Sequence, residues 1–226
     1  MLPWTPIAGW MGFPYLSQSQ GISHTYALGY RLTDNSQEPW TERFNRFKLN
    51  QKIAVYGGAK LFYGATPSLM QAIDVDMADT VFVPALSSGE TTAKASRAIP
   101  YITKKCASLV GADFELGALK KNAHKKIHNL YTAEERGAEL DKAEYSSAKL
   151  QAGHVFVFDD FVTRGDTLSR IALAVLAENP KAKVYGIALA KTERVAWCPN
   201  PTNDQMAAKW GKLWESGEQE ARDEAK

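Results

Sequence analysis

Cysteine and histidine are scarce, with two of the first and four of the second in 226 residues. Cys106 and Cys198 are far apart and form no CxxC pair, which excludes a disulfide scaffold and a zinc ribbon and fits reduced thiols. His124 and His128 have the i, i+4 spacing of zinc ligands on a helix. Lys120, Lys121, Lys125 and Lys126 crowd them, however, and no HExxH glutamate accompanies them, so no metal site is read there. Surplus charge is missing too. A net +2 is too small to argue for a general nucleic-acid binder or an anionic membrane surface. No apolar run approaches membrane-spanning length, so a membrane is not an expected partner. The opening MLPWTPIAGWMGFPYL is broken by Pro3, Pro6 and Pro14 and has no basic segment, which argues against a signal peptide. The expected compartment is cytoplasmic.

What is present points to a folded globular chain. The hydrophobic share is 45% with charges of both signs, and the length suits one domain with an extension or a small subdomain. The organising stretch is His154 to Leu168, HVFVFDDFVTRGDTL. Val155 to Phe158 form a β-branched and aromatic run, as in a strand buried on both faces of a parallel sheet. Chemistry in such sheets gathers at the carboxyl ends of the strands, where Asp159 and Asp160 follow. Ionised carboxylates only accept hydrogen bonds, which suits the two adjacent hydroxyls of a ribose. Phosphate needs donors instead. Gly165 lets the backbone approach closely, the Thr163 and Thr167 hydroxyls donate, and the next helix turns its positive end to the anion. Together these features describe a ribose 5-phosphate cradle.

DDFVTRGDTL resembles the phosphoribosyl-diphosphate binding loop of type I phosphoribosyltransferases: a hydrophobic strand, two acidic residues, then Thr-x-Gly-x-Thr. The resemblance extends in order of elements over roughly residues 75 to 195, and is closest to the ComF-like branch. It implies an α/β fold with a parallel sheet, helices on both faces and an N-terminal extension or hood. Residues 1–74 would be the hood, 75–197 the core, and 198–226 a C-terminal loop and charged tail. It implies transfer of ribose 5-phosphate from 5-phosphoribosyl 1-diphosphate to a nucleobase or similar nitrogen nucleophile, with Mg²⁺ held mainly by substrate oxygens. The matching residues are Asp159 and Asp160 at the sugar, and Thr163, Arg164, Gly165, Asp166 and Thr167 at the 5-phosphate. Ser87, Ser88, Gly89 and Glu90 would meet the pyrophosphate, Arg136 would come from a mobile catalytic loop, and Lys191 and Trp197 would contact the base. A homodimer and a nucleic-acid partner stay open. The alternative is a protein that keeps the pocket without catalysis, in a regulatory or DNA-uptake role.

Elsewhere the reading is local. Thr25–Leu32 is strand-like and suggests a hairpin or an edge. In residues 42 to 73, Gly57-Gly58 reads as an interruption and a helix is expected only from Pro67 to Ile73, while Arg43, Arg46, Lys48 and Lys52 read as a solvated face. Thr80–Leu86 is a second buried strand, with Ser88 at a helix N-cap as the plain alternative to a ligand loop. A helix is expected over Thr92–Val110, kinked or effectively started at Pro100, with Cys106 in the core. Residues 112 to 150 are polar, each of their lysines on its own being solvated, and residues 115 to 140 have the composition of a mobile cover. Leu168, Ile171, Ala172, Val175 and Leu176 mark a core-facing helix, and Val184–Ala190 another buried strand. Trp210 and Trp214 anchor one helical turn before a frayed end.

Overall fold

The computed structural model describes residues 4–16, 20–125, 130, 132–196 and 202–226. The long apolar runs line up as one seven-stranded sheet in the order β1-β2-β3-β9-β8-β4-β5. Its strands are β1 (Thr5–Ile7), β2 (Trp10–Phe13), β3 (Ile22–Leu32), β4 (Thr80–Pro84), β5 (Asp113–Phe114), β8 (His154–Val162) and β9 (Lys183–Glu193). β3, β9, β8, β4 and β5 run parallel, and β1–β2 is an antiparallel hairpin beside β3. A separate two-stranded ribbon joins β6 (Leu119–Lys120) to β7 (Ser146–Ser147).

Helices cover both faces because consecutive strand residues point opposite ways. Phe156 and Phe158 of β8 face a core shared with Phe44 of α1 (Pro39–Lys48), Leu61 and Phe62 of α2 (Lys52–Ile73), Ile102 of α3 (Ala98–Val110) and Trp214 of α6 (Asp204–Asp223). Val155 and Val157 face the second core, with Leu168, Ile171 and Val175 of α5 (Asp166–Glu178). α4 (Ala133–Asp141) lies beside α5, to which Asp141 is tied by an ion pair with Arg170. This is the mixed α/β, mostly parallel architecture expected from the sequence. Among the described residues no helix is long and apolar enough to cross a membrane.

Three local expectations are corrected. β3 is neither an edge nor a lone hairpin, since it sits between β2 and β9 with Thr25 to Tyr30 buried. The segment around Gly57-Gly58 does not break, and α2 runs unbroken for 22 residues through Pro67. Its glycines are seats: a Cβ on Gly57 would lie 2.6 Å from the Trp214 ring, and one on Gly58 2.5 Å from Phe47. The tail is not one turn but the 20-residue α6, whose Met206, Trp210, Trp214, Gly217 and Ala221 form a buried stripe against α2. α3 starts at Ala98, which puts Pro100 in its first turn, where a missing N–H costs nothing. Cys106 is fully buried as expected, and burial pushes its thiol up to about 12.

Asn203 substitutes for a strand at β3. Tyr30 N donates to its Oδ1 at 2.7 Å, its Nδ2 donates to Tyr30 O at 2.9 Å, and the same Nδ2 reaches Glu38 Oε2 at 3.1 Å. Glu38 in turn caps α1 through Trp40 N and Thr41 N. Asn203→Ala is therefore expected to destabilise the protein by about 1–3 kcal/mol in urea unfolding, the usual cost of stranding buried backbone groups.

Candidate functional site

β4 and β8 are neighbours in parallel, so their carboxyl ends open side by side. Pro84 pairs with Phe158, and Ala85 N still donates to Phe158 O at 2.8 Å. The Ser87–Glu90 loop and the Asp159–Asp160 pair therefore leave the sheet within a few residues of that shared bond. The structure brings these two stretches to one edge of the fold.

β8 does not end before the aspartates. It continues to Val162, pairing Asp159 with Ala188 and Phe161 with Ala190. Phe158 packs on Phe62 and Phe82, and three residues later Phe161 packs edge-on against Phe44 and Phe47 on the same side. Strict alternation would put them on opposite faces, so the alternation slips across the acidic pair. Each carboxylate bonds the next amide: Asp160 N donates to Asp159 Oδ1 at 2.8 Å, and Phe161 N to Asp160 Oδ1 at 2.7 Å. Both carboxylates are half-buried, and the two side chains also hydrogen-bond each other. Burial, and then the Asp160 charge, hold the Asp159 carboxyl well above the ordinary carboxylate range, while the Lys48 cation opposes them.

Two cations that the sequence did not single out for the site stand here. Arg31, near the end of β3, lies 5.4 Å over the Phe161 ring, and Lys48, at the end of α1, lies 5.6 Å over it. Burial lowers the Arg31 guanidinium from its usual value while the Asp160 charge raises it, and its Nε donates to Asn45 Oδ1 at 2.8 Å. Lys48 is solvent-exposed as expected, yet aimed at the site.

Gly165 adopts φ +88° and φ-inverts the chain into α5, a turn that favours glycine. The first backbone–backbone bond of the helix start is Ser169 N to Gly165 O at 2.8 Å, and no side chain caps α5. Helix starts of this kind leave their first amides for an outside acceptor. Arg164 Nε pairs with Asp166 Oδ2 at 3.5 Å across the glycine. Thr163 is exposed and Thr167 half-buried. Among the described residues no hydrogen bond joins the acidic pair to this turn.

The Ser87–Glu90 loop is closed on itself. Ser87 N donates to Glu90 Oε2 at 2.9 Å, Glu90 N donates to Ser87 O at 3.0 Å, and Glu90 Oε1 lies 3.3 Å from Arg97 Nε. Ser88 is not a helix N-cap, because α3 begins only after Arg97. Its carbonyl accepts from Lys121 Nζ at 2.9 Å and His124 N at 3.0 Å. Lys121, read as solvated, is 5% exposed. The segment that carries it is pinned down: Lys121 N donates to Thr91 O, Thr92 bridges Lys120, and Ala148 N donates to Ala118 O. This part of the 112–150 interval is thus a strap over the loop.

The remaining residues are held locally. Arg136 Nη1 donates to Leu130 O at 3.0 Å from α4. Lys191, near the end of β9, has its Nζ on Thr192 O and Glu193 Oε2, both at 3.0 Å. Trp197 lies outside the described residues, as do Lys126, His128 and Cys198.

No family model and no curated protein sequence matches the chain. Among solved structures it is similar to one titled as the allosteric regulatory enzyme of purine biosynthesis, at 16% identity and a TM-score of 0.37. The match covers 73% of this chain and 37% of that one, so the chain spans little more than a third of that enzyme's length. A likeness this distant carries no inference about activity.

The arrangement itself is an edge where two loops and two carboxylates meet, with Arg31 and Lys48 over Phe161 next to the pair and Lys121 behind the Ser88 carbonyl. The carboxylate oxygens that bond no backbone amide suit hydroxyls or a hydrated cation, and the start of α5 suits an anion. Sequence reasoning missed Arg31, Lys48 and Lys121 as members of the site, and only the two lysines left a trace there, as parts of basic clusters read as solvated.

Proposed function

We propose that the chain is a type I phosphoribosyltransferase that moves ribose 5-phosphate from 5-phosphoribosyl 1-diphosphate to a nucleobase or a similar nitrogen nucleophile. The observation that carries this reading is the parallel adjacency of β4 and β8, which opens an acidic pair with a glycine turn beside a second loop of small residues. On this reading Asp159 and Asp160 accept from the sugar hydroxyls. The Thr163–Thr167 turn donates to the 5-phosphate, and the Ser87–Glu90 loop borders the departing pyrophosphate. Positive charge grows at the anomeric carbon as the C–O bond to pyrophosphate breaks. The two carboxylates offset it at short range, and Arg31 and Lys48 keep the pair oriented.

Mg²⁺ fits this donor set. Asp159 and Asp160 each offer an oxygen that no backbone amide occupies, and a hydrated ion on diphosphate oxygens needs few protein ligands. The ion would supply charge neutralisation on the leaving group. Arg136 and Lys191 belong to the proposal as loop and base contacts, both requiring release from their present local bonds.

One observation favours the second reading, a non-catalytic pocket protein with a regulatory or DNA-uptake role. Glu90 occupies the Ser87 amide with its own carboxylate, which a leaving pyrophosphate would have to displace. Pyrophosphate release, measured with donor and Mg²⁺ across free nucleobases, separates the two. Release that depends on one base supports the transferase. Donor binding with no release under any base supports the pocket protein instead.

A further inference from the structure

Resting on the phosphoribosyl reading above, we infer that Lys121 is a positioning residue that sets the Ser88–Gly89 peptide for a diphosphate, with Tyr145 beside Lys121 as a second donor.

Lys121 is 5% exposed and has no carboxylate within ion-pair distance among the described residues. Its Nζ bonds are to carbonyls: Ser88 O at 2.9 Å and Asn122 O at 3.4 Å. A buried cation whose hydrogen bonds go to carbonyl dipoles and not to a carboxylate is under-compensated, which suits an anion nearby. Burial lowers its affinity for the proton and the Glu90 charge raises it.

The Ser88 carbonyl is the second link. It is held from inside the strap by Lys121 and by His124 N. In a trans peptide the next N–H points away from the carbonyl, so the Gly89 amide is turned outward. Gly89 is exposed, and a Cβ built on it would meet nothing within 4 Å. Lys121 thereby holds an amide donor towards open space, on the loop beside the acidic pair.

Tyr145 is the third. Its ring lies 5.9 Å from Lys121 Nζ, and its hydroxyl is buried with no hydrogen-bond partner among the described residues. Burial, followed by the Asp159 charge, pushes that phenol above its usual value, so Tyr145 stands in electrostatic reach of Asp159 as well as of Lys121. Buried hydroxyls are normally satisfied, and one left over next to a candidate site implies a partner that arrives with the ligand.

Calorimetric titration of the full chain with inorganic pyrophosphate and Mg²⁺, and separately with ribose 5-phosphate, tests this. Lys121→Met is expected to weaken pyrophosphate about tenfold or more, with ribose 5-phosphate within twofold of wild type. Lys121→Arg, which keeps a donor for Ser88 O, should recover most of the loss. Tyr145→Phe, which removes only the unpartnered hydroxyl and so should fold normally, is expected to weaken pyrophosphate by roughly threefold to tenfold. Unchanged pyrophosphate affinity in both Lys121→Met and Tyr145→Phe overturns the inference. So does an equal loss of both ligands, which is the mark of a merely structural role. A wild type that binds ribose 5-phosphate but not pyrophosphate overturns this inference alone, and one that binds neither overturns the phosphoribosyl reading beneath it.

Discussion

Asp159→Asn is expected to raise the melting temperature of the ligand-free protein at pH 7, and the double change with Asp160→Asn to weaken 5-phosphoribosyl 1-diphosphate binding by about 100-fold or more. The stability half follows from linkage. Burial and the neighbouring Asp160 charge hold the Asp159 carboxyl above its ordinary value, so the folded protein binds that proton more tightly than the unfolded chain does. The stabilisation from that proton is complete below the unfolded value, near 4, and is lost as pH rises towards the folded one. At pH 7 part or all of it has gone. Asparagine still offers an oxygen to Asp160 N and carries no charge to strip of water. The wild-type melting temperature should therefore fall relative to that of Asp159→Asn as pH rises from the ordinary carboxylate range towards neutrality. Parallel curves would mean that Asp159 sits in no such environment. The binding half rests on two hydrogen bonds to charged acceptors, each worth about 1.5–3 kcal/mol. A site that raises its own folding cost in order to keep two acids together is what a ligand-binding edge requires, since a purely structural position would favour the amide.

Trp214→Ala is expected to cost about 3–5 kcal/mol in urea unfolding, a large share of the stability of an ordinary domain. The indole is fully buried, edge-on to Trp40 at 5.6 Å and to Phe44 at 5.9 Å, with its N–H on Glu218 Oε1 at 2.9 Å. Alanine leaves a cavity that Gly57 cannot fill, because the glycine is there to let the ring approach. The effect reaches the site through contact. Phe44 supports Phe161, the residue after Asp160, so a folded Trp214→Ala protein should also bind the donor more weakly. A loss below about 1 kcal/mol would contradict the docking of α6 on α2.

The two elements behind these effects were unequally legible in the sequence. β8, β4 and β9 show themselves as continuous apolar runs, and α5 as an apolar stripe at helical spacing, because burial on both faces of a parallel sheet leaves no other pattern. The acidic pair and glycine turn are contiguous, so their order alone is enough to suggest a sugar-phosphate site. α6 reads in the sequence as one turn because its buried stripe continues from Trp214 into Gly217 and Ala221, small residues among charges that a hydrophobicity pattern passes over. α2 was broken at Gly57-Gly58 because local propensity counts glycine against a helix, whereas packing against Trp214 and Phe47 demands it. Ser88, read as a cap, is instead held by a strap whose anchor, Lys121, looks solvated in a run of lysines. Its burial is set by the β6–β7 ribbon, a pairing between residues 119–120 and 146–147 that no local pattern reveals. Arg31 and Lys48 reach Phe161 only once β3 has entered the sheet.

The most direct test of the pocket is the structure of the chain bound to 5-phosphoribosyl 1-diphosphate with Mg²⁺. The account predicts the 5-phosphate on the amides of the Thr163–Thr167 turn, the sugar hydroxyls within hydrogen-bond distance of Asp159 and Asp160, and the diphosphate beside Gly89. A donor seated elsewhere on the surface, or with its phosphate ends away from that turn, would contradict it.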